Sequence, residues 1–598
     1  MKIDLITNNS FLYSKLIFKT MKISIPFNIF IILIILLPWH IFGLYGFDWT
    51  DPAYNFQQAL NILNNKKIHQ DFFTHIPGLS FFLEALLLKF FGITFENHRN
   101  FGLIFPITQY LCSVLFLSKI LSDYKLKNYE FWSVILSSSI LTSFWGIQLY
   151  WDVTNLAITF SFIIATLIFF LYENKNKFYF FLIIFFITLF VSLQIFTKQS
   201  HGLINLFLTF FSIFIISILK RQSINFIIKI ISLFFIFQLI NIFLISNLTG
   251  IDLPISLSKS SASLELKGLS IERPFEIFLT VIGAYYSLNS IVFSMFFIFV
   301  GFFFKFFLHK NNLKKLFPIC LLIFPLLSYY YSKIWMFSYF ILVGFLFYQF
   351  YIFIKHTFFV KKFDNHKLKG IIILISIFPV IGSLLAEQLS WTGPYYIRPS
   401  IIMFIFLISL IIFYINDYKN LFFYKKFFIS YLILIFIISI FFIEIRNAGE
   451  AYDHKRNGLV KIEKPESLRD WKVSKKTLEA INKLREVSVS CKKNTLFQLT
   501  WMPISYEITS RINPTGYDLP YHDTITLTEA ELILKNLISD PPGMLIVQPE
   551  YANYSGPFPA AGMKYLYNNL DDLLKYYSFN SLIEDNFNNF KVFCLDIN

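Results

Sequence analysis

The sequence predicts an α-helical polytopic membrane protein of about thirteen transmembrane helices, followed by a small C-terminal α/β soluble domain. Three observations predict it. Apolar residues make up 56% of the 598 and charged ones 15%, whereas a water-soluble domain is about a quarter charged. The apolar residues fall in runs of about 18 or more, long enough to cross a hydrocarbon core of about 30 Å. From residue 447 onward the composition becomes that of an ordinary soluble domain.

Taken in order, residues 1–25 carry Lys15, Lys19 and Lys22 and read as a cytoplasmic N-terminus. The apolar run after Pro26 is too long for the core of a signal peptide and lacks a small-x-small cleavage site, so it reads as a first span. Spans are expected at 26–46, 101–118, 131–150, 153–171, 178–196, 202–219, 225–246, 279–304, 316–332, 335–354, 370–387, 399–416 and 427–444. Together, residues 26–446 form the transmembrane domain.

Charge sets the expected direction. The net charge is +15, but residues 445–598 hold 18 Lys/Arg against 19 Asp/Glu, leaving 34 basic and 18 acidic groups in the first 444. A nucleic-acid binder concentrates its excess on a soluble face; here the excess lies between apolar runs, and nucleic acid is excluded as a partner. With the four N-terminal lysines, the connections holding Lys119/Lys125/Lys127, Lys175/Lys177, Lys220/Arg221/Lys229, Lys305/Lys310/Lys314/Lys315, Lys355/Lys361/Lys362/Lys367/Lys369 and Lys419/Lys425/Lys426 carry 24 of the 34. By the positive-inside rule that side is cytoplasmic. An odd number of spans then places the tail, 447–598, outside the cytoplasm.

Two outer segments are longer than turns. The first outer loop, 47–100, contains an apolar stretch at 79–92 broken by Glu84 and Lys89. It is too short to span, and its two charges suit a helix lying in the membrane interface. The second, 247–278, is polar. In the tail, strand-like runs at 495–499, 544–548 and 590–596 alternate with helix-like runs at 475–487 and 526–537, the pattern of a small α/β domain. Cys112 and Cys320 lie in apolar runs as packing residues. Cys491 and Cys594 both fall in the tail, where an extracytoplasmic setting permits a disulfide.

In a chain so poor in charge, ionisable groups at the membrane boundary are the candidates for chemistry, because they are costly there. The first outer loop contains Asp48, Asp51, Pro52 and Tyr54, then His69, Asp71, His75, Pro77 and Gly78. Later outer turns add Asp152, Lys198 and His201, and then Lys333, Glu387 and Arg398. Acids early and bases later suit a site that activates a nucleophile and holds a phosphate. Each residue also has a plainer role. Asp51 before Pro52, and Asp152 before a span, are good helix caps. Lys198, Lys333 and Arg398 suit anchors that snorkel to headgroups. His69, Asp71 and His75 match no tight metal spacing, and Glu84 suits an interfacial polar face.

The elements Asp51-Pro52-Ala53-Tyr54 and Asp71-Phe72-Phe73-Thr74-His75-Ile76-Pro77-Gly78, set around an amphipathic helix after the first span, resemble the GT-C superfamily of membrane glycosyltransferases. The nearest branch comprises bacterial relatives of protein O-mannosyltransferases and of the lipid A aminoarabinose transferase. The specific part covers some 50 residues; about thirteen spans and an outer α/β domain extend it in outline. Many relatives carry a lysine before the second proline, where this chain has Ile76. The resemblance implies a bacterial inner-membrane enzyme that transfers a sugar, with inversion, from a polyprenyl-phosphate donor to an envelope lipid, glycan or protein hydroxyl at the periplasmic face. It implies Asp51 as general base and Asp152 as a second acid that orients the acceptor or a divalent metal ion. Some members need such an ion and others do not. The departing lipid phosphate needs cations, for which Lys198, His201 and Arg398 are the candidates, with Asp48, Tyr54, Asp71 and His75 lining the loop.

Other classes leave different marks. A transporter or flippase for lipid-linked saccharides predicts charges in mid-span and paired, broken helices; here the acids cluster at one boundary and no halves repeat. A surface polysaccharide polymerase or ligase relies on Arg and His in large outer loops and lacks a tail domain of this size. A scaffolding protein with a degenerate site is the remaining alternative.

Overall fold

The computed structural model describes residues 25–36, 51–74, 76–123, 128–144, 150–171, 177–256, 365–390, 400–401, 404–405, 407–408, 459–500, 502–518, 525–548, 561–584 and 589–596. Among them six helices are long and apolar enough to cross a membrane: Phe95–Asp123, Val153–Leu171, Phe178–Thr197, Gln199–Leu219, Ile224–Thr249 and Leu368–Glu387. They coincide with six of the expected spans. Those expected at 279–304, 316–332, 335–354 and 427–444, and most of 399–416, lie outside the described residues. Of the expected 26–46, the described part is a helix at Ile25–Leu36, α1.

After α1 come α2 (Asp51–Leu63), α3 (Leu79–Phe91), α4 (Phe95–Phe101), α5 (Ile104–Asp123), α6 (Tyr129–Thr142), α7 (Val153–Leu171), α8 (Lys177–Thr197), α9 (Gln199–Leu219), α10 (Ile224–Thr249), α11 (Asn365–Ser376) and α12 (Phe378–Ser390). α6 is shorter than the span expected at 131–150. Its last turns carry Ser138, Ser139 and Ser143, each donating its hydroxyl to a carbonyl three residues back. Such bonds compete with the helical ladder, and the chain turns at Ser143 and Phe144.

Lipid supplies no hydrophobic drive between helices, so spans adhere through packing and amide–hydroxyl bonds. Gln109 Nε2 donates to Thr159 Oγ1 (3.0 Å), joining α5 to α7. Gln238 reaches Ser192 and Asn241 reaches Thr188, joining α10 to α8. A four-helix knot forms where Gln194 Nε2 and Asn205 Nδ2 both donate to Ser161 Oγ, at 2.7 and 2.8 Å, and Asn205 also reaches Ser383. The α8–α9 hairpin closes tightly over Gly202, where a Cβ would stand 2.4 Å from the Ile195 backbone.

The two ends of this bundle differ. At one, Asp123 holds Lys119 (2.6 Å) and Lys369. At the other, the α8–α9 turn and the C-terminus of α10 meet the helices of the first loop, and the N-terminus of α7 meets both that loop and Met563 of the C-terminal domain. That loop helix, α3, follows Gly78, whose left-handed φ of 94° ends the Pro77-Gly78 turn. A Cβ on Gly78 would also strike Ile68 at 2.4 Å. α3 turns Ala85 and Leu88 inward and exposes Leu86, Phe90 and Phe91.

The C-terminal domain contains a two-stranded ribbon, β1 (Val460–Lys461) and β2 (Lys472–Val473), then α13 (Lys475–Ser490), β3 (Leu496–Leu499), α14 (Ser505–Thr509), α15 (Leu527–Ser539), β4 (Met544–Val547), α16 (Ala561–Asn568), α17 (Leu570–Leu574), β5 (Tyr577–Glu584) and β6 (Asn589–Leu595). The main sheet has order β3-β4-β6-β5, with β3 and β4 parallel and the rest antiparallel. β3 and β4 are buried throughout, as strands covered on both faces must be. Phe497, Leu499, Leu545 and Val547 pack on α15, α16 and α17. Leu496, Met544 and Ile546 face α13. Cys491, at the end of α13, and Cys594 of β6 form a disulfide with Cα atoms 5.2 Å apart.

The apolar cluster on the α13 side does not stop at the domain. Ala53, Phe56, Ala59 and Leu60 of α2, Ala85 and Leu88 of α3, and Phe95 of α4 belong to it with Leu468, Trp471 and Leu484. The loop helices and the domain therefore share one core, and both lie at the same end of the bundle.

Candidate functional site

Trp151 organises the meeting point of α2, α3 and α7. Its indole Nε1 donates to the Ser80 carbonyl at 2.9 Å, and its backbone N–H donates to the His98 carbonyl at 3.1 Å. Its own carbonyl accepts from Asn55 Nδ2 of α2 at 3.3 Å. The chain arrives there through a close approach, since a Cβ on Gly102 would stand 2.5 Å from the Tyr150 nitrogen. The next residue, Asp152, is buried, and its two carboxylate oxygens accept from Thr154 N (3.2 Å) and Asn155 N (3.0 Å). That is a helix N-cap, the plainer of its two expected roles.

Lys198 ends the turn between α8 and α9 and donates from Nζ to Thr154 Oγ1 at 2.9 Å. Its backbone is extended, and its side chain does not cap α9. The ammonium thus stands beside the first turn of α7, and its residue opens α9. Both are helix N-termini, whose partial positive charge disfavours a cation and favours an anion. The buried Asp152 carboxylate, which caps that same turn of α7, supplies a negative charge near the lysine. His201, one turn into α9, is fully buried, with Ser200 Oγ 3.4 Å from its Nδ1.

Tyr54, one turn into α2, completes the group. Its ring meets Phe81 edge-on, centroids 5.9 Å apart, and packs with Ile76, Val153 and Met563 of α16. Ile76 is thus an apolar wall of this cluster. Tyr54, Asp152, Thr154 and Lys198 converge from three separate stretches of sequence, with the C-terminal domain closing one side.

Other expected residues stand elsewhere. Asp71 is exposed and accepts from the Lys67 N–H at 2.8 Å, closing its own turn. The next residues dock onto the domain, with Phe73 N donating to the Gly516 carbonyl at 3.0 Å and its ring stacked 4.7 Å from that of Tyr517. Asp51 is the first residue of α2, described in its backbone alone. Asp48, His75, Lys333 and Arg398 lie outside the described residues. Among the described residues no group of three His, Cys, Asp or Glu gathers as a metal site. The oxygens of Asp152 each accept one backbone N–H, and Asp71 closes its own turn.

Glu84 differs from the interfacial residue expected. It is fully buried, paired with Nδ1 of the equally buried His98. Phe56 and Phe95 surround the His98 ring, whose centroid lies 5.7 Å from that of Tyr150. Burial pushes the Glu84 carboxyl above the usual range, and His98 pulls it back in part. This pair braces the Tyr150–Trp151 turn from behind. Sequence reasoning also passed over Asp518, the buried acid between α2 and the domain. Its one signal is the amide pair Gln58 and Asn61, spaced to share a face of α2.

No protein-family model matches this sequence, and no curated protein matches it.

Proposed function

We propose that the chain is a GT-C-like membrane glycosyltransferase that moves a sugar from a polyprenyl-phosphate donor to a hydroxyl of an envelope lipid, glycan or protein. In this reading about thirteen spans sit in a bacterial inner membrane, with the N-terminus cytoplasmic and the loop-and-domain end periplasmic. Lys119 and Lys369 at the opposite bundle end support that direction.

The observation that carries the reading is the place of Lys198. Its ammonium stands at the start of α9 and beside the first turn of α7, next to the buried Asp152, so a cation and a carboxylate meet at one point of the loop-and-domain end. The carboxylate suits the acceptor hydroxyl, and the ammonium suits a lipid phosphate entering from the membrane at this end. In the reaction the Asp51 carboxylate takes the proton of the acceptor hydroxyl as that oxygen attacks the anomeric carbon. The bond from that carbon to the phosphate oxygen breaks, and the electron pair leaves on the polyprenyl phosphate, where Lys198 stabilises it. Asp152 caps α7 and so fixes Thr154, which orients the lysine. Tyr54 walls the site with Val153 and Met563.

The test is transfer of label from a panel of polyprenyl-phosphate sugars to whole envelope, in membranes with and without the protein. Label reaching an envelope component only when the protein is present supports the reading. Equal labelling across the whole panel, with and without the protein, contradicts it.

A further inference from the structure

Between α2 and the C-terminal domain lies a polar joint inside an apolar seam. Asp518 is 2% exposed. Its Oδ2 accepts from Gln58 Nε2 (3.2 Å) and from Asn61 Nδ2, both on α2, and its Oδ1 accepts from Asn513 Nδ2 at 2.8 Å. Its backbone carbonyl accepts from Gln498 Nε2 of β3, whose own Oε1 takes the hydroxyls of Thr500 and Ser505, each at 2.9 Å. On the far side Lys66 Nζ donates to Asn61 Oδ1 at 3.1 Å. A hydrogen-bonded chain thus runs from β3 of the domain sheet to the loop helix, through one carboxylate.

Tyr54, Gln58 and Asn61 are spaced i, i+4 and i+7, so they share one face of α2. The apolar contacts of the other stripe, Ala53, Phe56 and Leu60, tolerate small sliding. Hydrogen bonds do not, because their strength falls steeply with distance and angle. The carboxylate therefore sets the register of the helix whose first residue is Asp51. Three N–H donors converge on its two oxygens. An asparagine at 518 would offer one oxygen and turn an NH2 towards donors, leaving Asn513 or the α2 pair without an acceptor.

We infer that Asp518 is a positioning residue for the candidate site, through which the C-terminal domain holds α2, and so Tyr54 and the Asp51 end of the helix, against the 151–154 turn. The inference rests on the proposed transferase only in naming what is positioned; the clasp has its own readout. The experiment is hydrogen exchange on the full-length protein in lipid nanodiscs, with transfer kinetics alongside, for wild type, Asp518→Asn and the exchanged pair Asn61→Asp/Asp518→Asn. In the exchanged pair the amide introduced at position 518 donates to the carboxylate introduced at position 61. That carboxylate still meets Lys66, the amide oxygen at position 518 still meets Asn513, and Gln58 turns its amide so that its otherwise unpartnered Oε1 accepts from the NH2 at 518.

Asp518→Asn is expected to speed exchange over residues 54–63 by about tenfold or more, with α13 as protected as in wild type, and to lower kcat for transfer at unchanged donor KM. The exchanged pair is expected to restore both. The inference is overturned if exchange over 54–63 does not change, if α13 loosens equally, or if the exchanged pair fails to restore protection. Absence of transfer in wild type would count against the proposed function, while the exchange pattern would still decide the clasp.

Discussion

Replacing Lys198 by glutamine separates an anion-binding lysine from a structural anchor. Its ammonium makes a 2.9 Å bond to Thr154 Oγ1 beside the first turn of α7. Removing a positive charge from a helix N-terminus is worth about 0.3–1 kcal/mol in favour of the fold. Losing a hydrogen bond from a charged donor costs about 1.5–3 kcal/mol, much of which a glutamine amide recovers by donating to the same hydroxyl. The two effects nearly cancel, so stability should shift by no more than about 1 kcal/mol. Catalysis should not cancel. Taking away one group that stabilises developing charge costs about 2.7–4 kcal/mol in the transition state, or roughly 100- to 1,000-fold in rate. Thermal unfolding followed by tryptophan fluorescence in detergent, beside kcat/KM for labelled transfer, measures both. The expected result is a fall of about 100-fold or more in transfer with little change in melting, and partial recovery in Lys198→Arg. Transfer within a few-fold of wild type would refute the reasoning, as would a loss of activity matched by a loss of folded protein.

Three further outcomes follow from the same geometry. Asp152→Ala removes both acceptors of the α7 cap and should cost about 1 kcal/mol of stability, whereas Asp152→Asn keeps a capping oxygen and should retain most transfer; abolition by Asn alone would make Asp152 a reacting group. Trp471→Ala empties the seam where that ring meets Phe95 edge-on at 5.1 Å and lies under Arg99. It should cost about 3–5 kcal/mol, read as early proteolysis of the domain with the bundle intact. Glu84 supplies a pH dependence. Its folded carboxyl titrates above the ordinary 4.5, so through that window the folded protein keeps a proton that the unfolded chain has released. Stability contributed by Glu84 is therefore greatest at the acid end and declines as pH rises. Glu84→Gln should flatten that part of a melting-temperature profile, and an unchanged slope would contradict the assignment.

The elements that were legible before the structure are those forced by solvent. A run such as 178–196 has only one stable solution in lipid, because every backbone group must be satisfied within the segment. The apolar stretch at 79–92, too short to span, marked the helix α3 by its length. In the domain, β3, β4 and β6 were readable as apolar runs, whereas β5, with Asn580 and Ser581 at its exposed edge, lacks that pattern. Tertiary partners were not readable. Glu84 and Lys89 suited a helix with two polar charges, yet Glu84 turns inward to His98 while Lys89 faces out. Asp518 lies 457 residues from Asn61, and no local pattern pairs an acid with an amide at that distance. The site was legible in part. Asp152 and Lys198 share the first turn of α7 because the α8–α9 turn returns to it, a consequence of packing that spacing along the chain does not encode.

The most direct test of the account is the transfer assay on wild type and Asp51→Asn, in membranes where both insert equally. The account predicts labelled envelope product with wild type and a loss of about 100-fold or more with the asparagine variant, the usual scale for removing a general base. Equal transfer by the two proteins would contradict it and reduce Asp51 to the opening residue of a helix.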